Sequence, residues 1–253
     1  MSTSDFFNEI EHTPVSWRDY LLHVPVFYQD ISFMSVSLLA SMEGLKNILP
    51  SKRCKPYRIT PWHGAISLTA YQYRESDIDP YNEFSISVPV TIDDETPLFT
   101  GTLRKMPKSP LVYSHHLPVT TEIARVVGAE FAGYPKFIAD IKFTEDDNWL
   151  NCELIADNQV VLTVSGRKLR LRRVPRSRVS PITHRRGYLL RSEFVISERD
   201  MGSSTSAADV QIEFGDHPIA REMKEIKPSR VLGYSYCPSA QGILTPVFES
   251  FKV

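Results

Sequence analysis

One lysine that follows a turn is the residue of this sequence best suited to covalent chemistry. Residues 128–138 read GAEFAGYPKFI, which predicts a helix end, a Gly-Tyr-Pro turn and an apolar strand entered by Lys136. An amine attacks a carbonyl carbon only when unprotonated, and burial among apolar groups disfavours the ammonium form. The segment therefore predicts a nucleophilic lysine, although a surface lysine beside a turn would have the same local sequence.

Three segments resemble the acetoacetate decarboxylase-like family. The string Gly-x-Glu-x-x-Gly-Tyr-Pro-Lys at 128–136 resembles the family signature, in which the imine-forming lysine follows the proline. Residues 80–83, PYNE, resemble the family's Tyr-x-Glu segment, and residues 232–246 resemble its closing segment. The three occur in the family's order over most of the chain, which is therefore identified as a member.

The resemblance implies a role for individual residues. It makes Lys136 the imine-forming lysine and Glu83 the acid that handles protons, and both are predicted to be catalytic. Glu130 matches the glutamate of the helical motif, although a salt-bridged helix residue explains it equally well. The residues predicted to bind substrate are Glu130, Phe137, Tyr134 and Gln241. Tyr134 also fits a packing role, and Gln241 also fits a buried amide that satisfies strand ends.

The implied reaction is that of a Schiff-base-forming carbon–carbon lyase, decarboxylating a small β-keto acid such as acetoacetate through an imine on Lys136. The protonated imine accepts the electron pair left behind by carbon dioxide, so we expect no cofactor. The same imine acidifies the neighbouring carbon, so a lysine-dependent aldolase or dehydratase is an alternative. A catalytically inactive small-molecule-binding member of the family is another.

Three positions depart from the family pattern. Acetoacetate decarboxylases carry a second lysine after the first, and this sequence has Phe137 there. Activation by an adjacent cation is thus replaced by desolvation alone, to which we expect Phe137 to contribute. The alignment also puts Ile31 and Leu68 where decarboxylases have an arginine and a glutamate. We therefore expect an aliphatic pocket lining, which leaves the substrate and decarboxylation itself open.

Composition narrows the class of protein further. The 253 residues are 42% hydrophobic with a net charge of −1, which predicts a real core and no field that favours nucleic acid. No apolar stretch has the length of a membrane span, and the N-terminus lacks a signal-peptide layout. Three widely spaced cysteines indicate reduced thiols, so we expect a cytoplasmic protein whose only partners are a small keto acid and copies of itself.

Alternating and β-branched runs dominate the chain. Period-2 patterns at 31–38, 63–73 and 83–88, and a strand-like run at 160–174, predict strands. Short helices are predicted after Ser41, from 122 to 131 after Thr120 or Thr121, and after Asp216. The fold class is thus α+β, mainly antiparallel β, with a barrel-like or cone-shaped sheet of the acetoacetate decarboxylase type. We expect one domain over 1–253, with residues 1–12 as a possible flexible arm.

Two other sequence features, a basic segment and a pair of histidines, also have simple structural explanations. The segment 167–191 is dense in basic residues, which fits a solvated strand face, a nucleic-acid track or a subunit interface. The near-zero net charge favours the solvated face over nucleic acid, and the family resemblance implies a homo-oligomer. His115 and His116 are adjacent, with no cysteine or carboxylate at ligand spacing nearby in the sequence, so we predict no metal.

Overall fold

Strands account for most of the chain in the computed structural model, which describes residues 6–8, 10–17, 20–93, 109–198 and 200–253. In the first half of the chain they are β1 (Thr13–Trp17), β2 (Tyr20–Val24), β3 (Val26–Ser41), β4 (Cys54–Pro56), β5 (His63–Ser76), β6 (Tyr81–Ile92), β7 (Leu111–His116), β8 (Asp140–Glu145) and β9 (Trp149–Ala156). In the second half they are β10 (Gln159–Arg167), β11 (Arg172–Arg173), β12 (Ser177–Arg185), β13 (Tyr188–Arg191), β14 (Phe194–Glu198), β15 (Asp200–Ser204), β16 (Val210–Phe214), β17 (Val231–Leu244) and β18 (Glu249–Lys252). The helices are α1 (Met42–Asn47), α2 (Glu122–Ala132) and α3 (Pro218–Glu225), with a 3-10 turn at Ala207–Asp209.

Seven of these strands close on themselves. The order β17-β3-β5-β6-β7-β12 is completed by β14, which pairs with both β12 and β17. Every pair in this ring is antiparallel except β7 with β12, which is parallel. The predicted fold class, a mainly antiparallel α+β protein with a barrel-like sheet, is therefore confirmed.

Alternation along the strands gives the closed sheet two different faces. The outer face of β3, β5 and β6 is apolar and buried, and it consists of Met34, Val36, Leu38, Ile66, Leu68, Ala70, Phe84, Ile86 and Val88. The intervening residues face the interior, and they include Phe33, Ser35, Ser67, Thr69, Tyr71, Tyr73, Glu83, Ser85 and Ser87. The polar half of the sequence pattern thus lines an interior rather than solvent.

A second, four-stranded sheet covers the outer face. Its order is β16-β10-β9-β8, and its buried residues join the same hydrophobic cluster as the outer face of the closed sheet. Leu154 and Leu162 are fully buried in this layer, and Met223 of α3 closes its edge. Burial on this scale gives the closed sheet a rigid backing, so its interior side chains have fixed positions.

The helices follow the predicted boundaries closely. Ser41 caps α1 by accepting a hydrogen bond from the Gly44 amide at 3.3 Å, and Thr121 precedes α2. Gly133 ends α2 with φ +66°, a left-handed conformation that glycine adopts without strain. The third helix is capped by His217 rather than the predicted Asp216, because the His217 ring accepts from the Ile219 amide.

Two expectations for the strands and the N-terminus need adjustment. The strand expected over 160–174 ends at Arg167, and only Arg172–Arg173 pairs again afterwards. Of the expected arm at 1–12, residues 1–5 and 9 lie outside the described residues, whereas Phe6 is buried and packs with Phe7 against Phe27. No helix among the described residues is long and apolar enough to cross a membrane.

Candidate active site

The closed sheet encloses a cavity of about 400 Å³. All seven strands of the ring contribute to its wall, and Tyr134 and Lys136 enter it from the segment after α2. The wall is rich in hydroxyl groups, from Ser35, Ser67, Thr69, Ser85, Ser87, Ser114, Ser177, Ser235 and the tyrosines 28, 71, 73 and 134. A volume of this size is within the ~300–1,000 Å³ range of small-molecule sites.

A buried ion pair lies in the cavity wall. The Nζ atom of Lys136 donates to Oε2 of Glu83 at 2.7 Å, and the two side chains are only 5% and 7% exposed. The other carboxylate oxygen, Oε1, accepts from the Tyr73 hydroxyl at 3.3 Å. The expectation that desolvation alone acts on the lysine is thus incomplete, because Glu83 is a direct partner of the amine.

Aromatic rings complete the surroundings of the amine. Nζ of Lys136 lies 5.3 Å from the ring centre of Tyr81 and 5.8 Å from that of Tyr134, both within cation–π range. The Tyr134 hydroxyl bonds to Ser192 at 2.9 Å, so its ring is held in place. Burial, reinforced by the charge of Glu83, raises the pKa of Tyr73 well above its usual value, so this hydroxyl stays protonated as a donor.

The backbone explains why Lys136 and Glu83 meet although they are 53 residues apart. Val119 bridges to Glu83 on one side and to Ile138 on the other, which ties the lysine segment to β6. Its amide donates to the Phe137 carbonyl at 2.9 Å, and the Phe84 amide donates to the Pro118 carbonyl at 3.0 Å. The loop after β7 therefore holds the segments of Lys136 and Glu83 next to each other.

Glycine at position 128 makes room for the lysine side chain. A Cβ built on Gly128 in α2 would lie 2.6 Å from both Cδ and Cε of Lys136 and 3.2 Å from its Nζ. Distances below 3 Å are not compatible with normal van der Waals contact. The first glycine of the GAEFAGYPK string therefore lets the lysine pass over the helix to reach Glu83.

Of the predicted site residues, the structure brings Lys136, Glu83 and Tyr134 together at the cavity. Glu130 lies 3.7 Å from Arg185 at its carboxylate, and its backbone carbonyl also accepts from Arg185, so it forms a salt bridge at the helix end. Phe137 packs against the outer core and meets the His116 ring edge-on at 6.5 Å. Gln241 lies in β17 opposite Ser197. Glu130, Phe137 and Gln241 are not part of the cavity wall.

The expected aliphatic lining is also not what the structure has. Leu68 faces the outer core, while its neighbours Ser67 and Thr69 face the cavity. Ile31 is fully buried in the cluster behind Phe33 and Tyr73. A step of one residue along a strand exchanges the two faces of the sheet, which is why Leu68 is directed away from the cavity. Thr69 and Ser67 instead hydrogen-bond to Ser35 and Ser37 at 2.8 and 2.9 Å.

A further cluster of polar side chains lies at His115 and His116, and the local sequence contains no signal for its third member. Glu222 of α3, 106 residues away from His116, lies 3.1 Å from His115 Nε2 and 2.7 Å from His116 Nε2. Burial alone would raise the pKa of Glu222, but hydrogen bonds and charge from both histidines outweigh it and lower the pKa to about 2. The three ligand atoms lie within 4.8 Å of one another, a spacing that can also hold a metal ion.

Solved structures with the same architecture define the class of protein. An acetoacetate decarboxylase superposes with a TM-score of 0.61 at 14% identity over 90% of this chain and 89% of its own. The acetoacetate decarboxylase of Legionella pneumophila gives 0.66 at 12% identity over 90% and 88%. The enduracididine biosynthesis enzyme MppR, complexed with the condensation product of pyruvate and imidazole 4-carboxaldehyde, gives 0.63 at 13% identity over 95% and 97%. The fold is thus that of acetoacetate decarboxylase and related enzymes.

The chain belongs to the acetoacetate decarboxylase (ADC) family, because the family model matches residues 10–243. No curated protein sequence matches the chain significantly. The resemblance carried by the three sequence segments is therefore confirmed at the level of the family.

Proposed function

We propose that this protein is a lyase that binds a small keto acid covalently, as an imine on Lys136. The observation that carries the proposal is the contact of 2.7 Å between Lys136 Nζ and Glu83 Oε2 in the wall of the cavity inside the closed sheet. An amine with a carboxylate at this distance has a base to receive its proton, and the cavity supplies room for the carbonyl compound.

Glu83 has the position of the proton-handling group in this scheme. It takes a proton from the Lys136 ammonium, and the free amine then attacks the ketone carbon. A carbon–nitrogen bond forms, and Glu83 then returns the proton to the departing hydroxyl group, so that water leaves and an iminium ion results. Tyr73 donates to the second oxygen of Glu83, so the carboxyl group keeps its orientation while it changes protonation state.

Decarboxylation of a β-keto acid follows from the iminium ion. The bond to the carboxylate carbon breaks, carbon dioxide leaves, and the electron pair moves to the iminium nitrogen to give an enamine. Glu83 takes up a proton from solvent and delivers it to the enamine carbon, which restores the iminium ion. Water then adds to this ion and releases the ketone and the free amine, and Glu83 accepts the proton that is set free. Acetoacetate is the simplest substrate for this series of reaction steps.

A second candidate is an aldol-type or dehydratase reaction through the same imine. It is favoured by the likeness to the MppR structure, which contains a condensation product of pyruvate with an aldehyde. It is favoured also by the cavity of about 400 Å³, which is ample for a keto acid together with a second carbonyl compound. In this case the enamine attacks an aldehyde carbon instead of being protonated.

The test is reductive trapping with borohydride in the presence of a panel of β-keto and α-keto acids. We expect an adduct of the mass of the reduced imine on the peptide that contains Lys136. Lys136→Arg should abolish the adduct and any turnover, since a guanidinium group stays protonated and does not attack. Lys142→Arg is the matched control, because Lys142 is exposed on β8 and should leave trapping unchanged.

The outcomes distinguish the candidates. Carbon dioxide release together with trapping identifies a decarboxylase. Trapping with exchange of the α-hydrogens in deuterium oxide, but no carbon dioxide, identifies the aldol-type reaction. An adduct mapped to a different lysine would overturn the assignment of Lys136, and a folded protein that forms no adduct with any keto acid would instead be a binding protein.

A further inference from the structure

A second buried acid lines the same cavity on a different strand. Glu198 ends β14, where it follows Phe194 and Ile196 on the inner face of the strand. The residue is only 5% exposed. A carboxyl group is rarely buried to this extent unless it is paired, and Glu198 takes no part in the imine scheme described above.

The hydrogen bonding of Glu198 is incomplete. Its Oε1 accepts from the Ser177 hydroxyl at 2.5 Å, whereas its Oε2 is buried and has no hydrogen-bond partner among the described residues. Burial raises the pKa of Glu198, against the opposing effect of hydrogen bonds from the Ser177 hydroxyl and from the backbone of Glu198 and Ser177. Burial disfavours the charged form relative to an exposed carboxyl group, and in its protonated form the acid carries an O–H group that can donate.

Two stacked tyrosines connect this acid to the lysine site. The rings of Tyr71 and Tyr73 stack at 5.4 Å with an interplanar angle of 11°, and Tyr73 donates to Glu83. Burial raises the pKa of Tyr71, and the charges of both Glu83 and Glu198 raise it further, so this ring lies within the field of each acid. Ser177, the partner of Glu198, is exposed, which places Glu198 towards the outer part of the cavity wall.

We propose that Glu198 binds the far end of the substrate by donating a hydrogen bond to an oxygen atom, while Lys136 holds the carbonyl carbon. The inference rests on the proposed function for the position of the carbonyl group, and it adds the substrate class. The substrate is a keto compound with a second oxygen function, separated from the ketone by an apolar linker.

The volume and the chemistry of the cavity agree with such a substrate. Acetoacetate alone is small for a cavity of about 400 Å³, and a longer chain uses more of this volume. The wall between the two ends offers the faces of Tyr71 and Tyr73 and the side chains of Phe33 and Ile196. These surfaces suit an apolar linker between two polar ends.

The test uses three probes with the same ketone and nearly the same chain length. 2-Hexanone has the ketone alone, 5-oxohexanoate adds an oxygen acceptor at the far end, and 5-(trimethylammonio)pentan-2-one carries a cation there instead. Dissociation constants are measured by calorimetry without borohydride, so that binding is read independently of imine trapping. Wild type, Glu198→Gln and Glu198→Leu are compared.

We expect Glu198→Leu to raise the dissociation constant of 5-oxohexanoate by about tenfold, which is the effect of losing one hydrogen bond to a charged group. Binding of 2-hexanone should change by less than about twofold. Glu198→Gln should retain 5-oxohexanoate, since its amide nitrogen still donates. Glu198→Leu should also raise the melting temperature, because it removes a buried oxygen atom that has no partner.

Other results would overturn the proposal. Equal weakening of all three probes by Glu198→Leu would mean that the residue only shapes the cavity. If both variants lose binding of the cationic probe, Glu198 binds as a carboxylate anion. If Glu198→Leu does not fold, Glu198→Met serves as the apolar variant.

A separate measurement tests the proposed imine chemistry of Lys136. The same three probes are treated with borohydride, and the reduced imine is sought on the peptide that contains Lys136. Trapping of 2-hexanone without selective loss of 5-oxohexanoate binding in Glu198→Leu refutes the role of Glu198 and leaves the lysine chemistry standing. If Glu198→Leu selectively loses 5-oxohexanoate binding but no probe is trapped on Lys136, the role of Glu198 stands and the lysine chemistry is refuted.

Discussion

The aliphatic chain of Lys136 crosses helix α2 directly over Gly128, where a Cβ atom would lie 2.6 Å from both Cδ and Cε. This contact links the first residue of the GAEFAGYPK string to the last, and it gives the spacing of the string a physical meaning. The helix has to present a residue without a side chain at this point, since the amine otherwise cannot reach Glu83.

Gly128→Ala should therefore damage the site without damaging the fold. Alanine is favoured over glycine inside a helix by about 1 kcal/mol, while the new methyl group displaces the end of the lysine. A shift of about 1 Å in a reacting group can cost about 100-fold in rate, so we expect trapping and turnover to fall on that scale. Chemical denaturation should show stability within about 1 kcal/mol of wild type.

Gly233→Ala is the matched control for this substitution. A Cβ at Gly233 in β17 meets nothing within 4 Å, so the variant should keep both trapping and stability. Wild-type turnover in Gly128→Ala would mean that the lysine side chain takes another path to the cavity.

The sequence reveals the fold class because alternation along strands is a strong signal. Patterns such as 31–38 and 83–88 place apolar residues on one face whatever lies on the other. The pattern does not say whether the polar face meets solvent or an enclosed interior. Ser67 and Thr69 were therefore not recognised as cavity residues, although a face made of hydroxyls and aromatic rings, without charges, is unusual for solvent.

The candidate site was predictable only where its residues form a motif. Lys136 and Glu83 lie in strings that resemble family segments, whereas Glu198 stands alone in FVISE. Its signal was a charged residue on the face of Phe194 and Ile196, which marks a buried acid. The contact of Glu222 with the two histidines could not be predicted from the sequence, because it depends on how α3 packs against β7.

Glu83→Gln tests the proton-handling role of the carboxylate. The amide keeps the size of the side chain but does not accept a proton from the lysine, so turnover should fall by ~10²–10⁴-fold, as for general acid–base groups. Circular dichroism should show an unchanged fold. Glu130→Gln is the control, because its partly exposed salt bridge with Arg185 is worth at most about 1 kcal/mol. Wild-type turnover by Glu83→Gln would make Glu83 a structural residue.

The assembly state is a separate expectation. The family resemblance and the exposed basic pair Arg172–Arg173 motivate a homo-oligomer. Light scattering at moderate salt should give a mass at least twice the 28.9 kDa of the chain. A monomer at micromolar concentration would contradict it.

Glu222 should make stability depend on pH in the acid range. Burial opposes ionisation, but the hydrogen bonds and charges of His115 and His116 prevail and lower its folded pKa from 4.5 to about 2. A carboxyl group with a depressed folded pKa stabilises the protein above its unfolded pKa, and this stabilisation is lost as pH falls from about 4.5 to about 2. Urea denaturation across this window should show a steeper loss in wild type than in Glu222→Gln. Parallel curves would mean that the cluster contributes nothing.

Phe137 follows the lysine in sequence but lies outside the cavity, and this separates stability from catalysis. It is partly buried against the outer core and contacts the edge of His116. Phe137→Ala should therefore reduce the free energy of unfolding by roughly 2 kcal/mol, below the ~3–5 kcal/mol of a fully buried phenylalanine. The acidic limb of the pH–rate profile should stay where it is in wild type, because no water is admitted to the amine.

Leu117→Ala is the matched comparison, because Leu117 is buried and lines the cavity, and its amide donates to the Pro135 carbonyl. Removing this side chain admits water beside the lysine, which favours the ammonium form. Since the amine must be free to attack, the acidic limb should move to higher pH in Leu117→Ala and not in Phe137→Ala. A shift in Phe137→Ala as well would show that Phe137 helps to exclude water from the lysine after all.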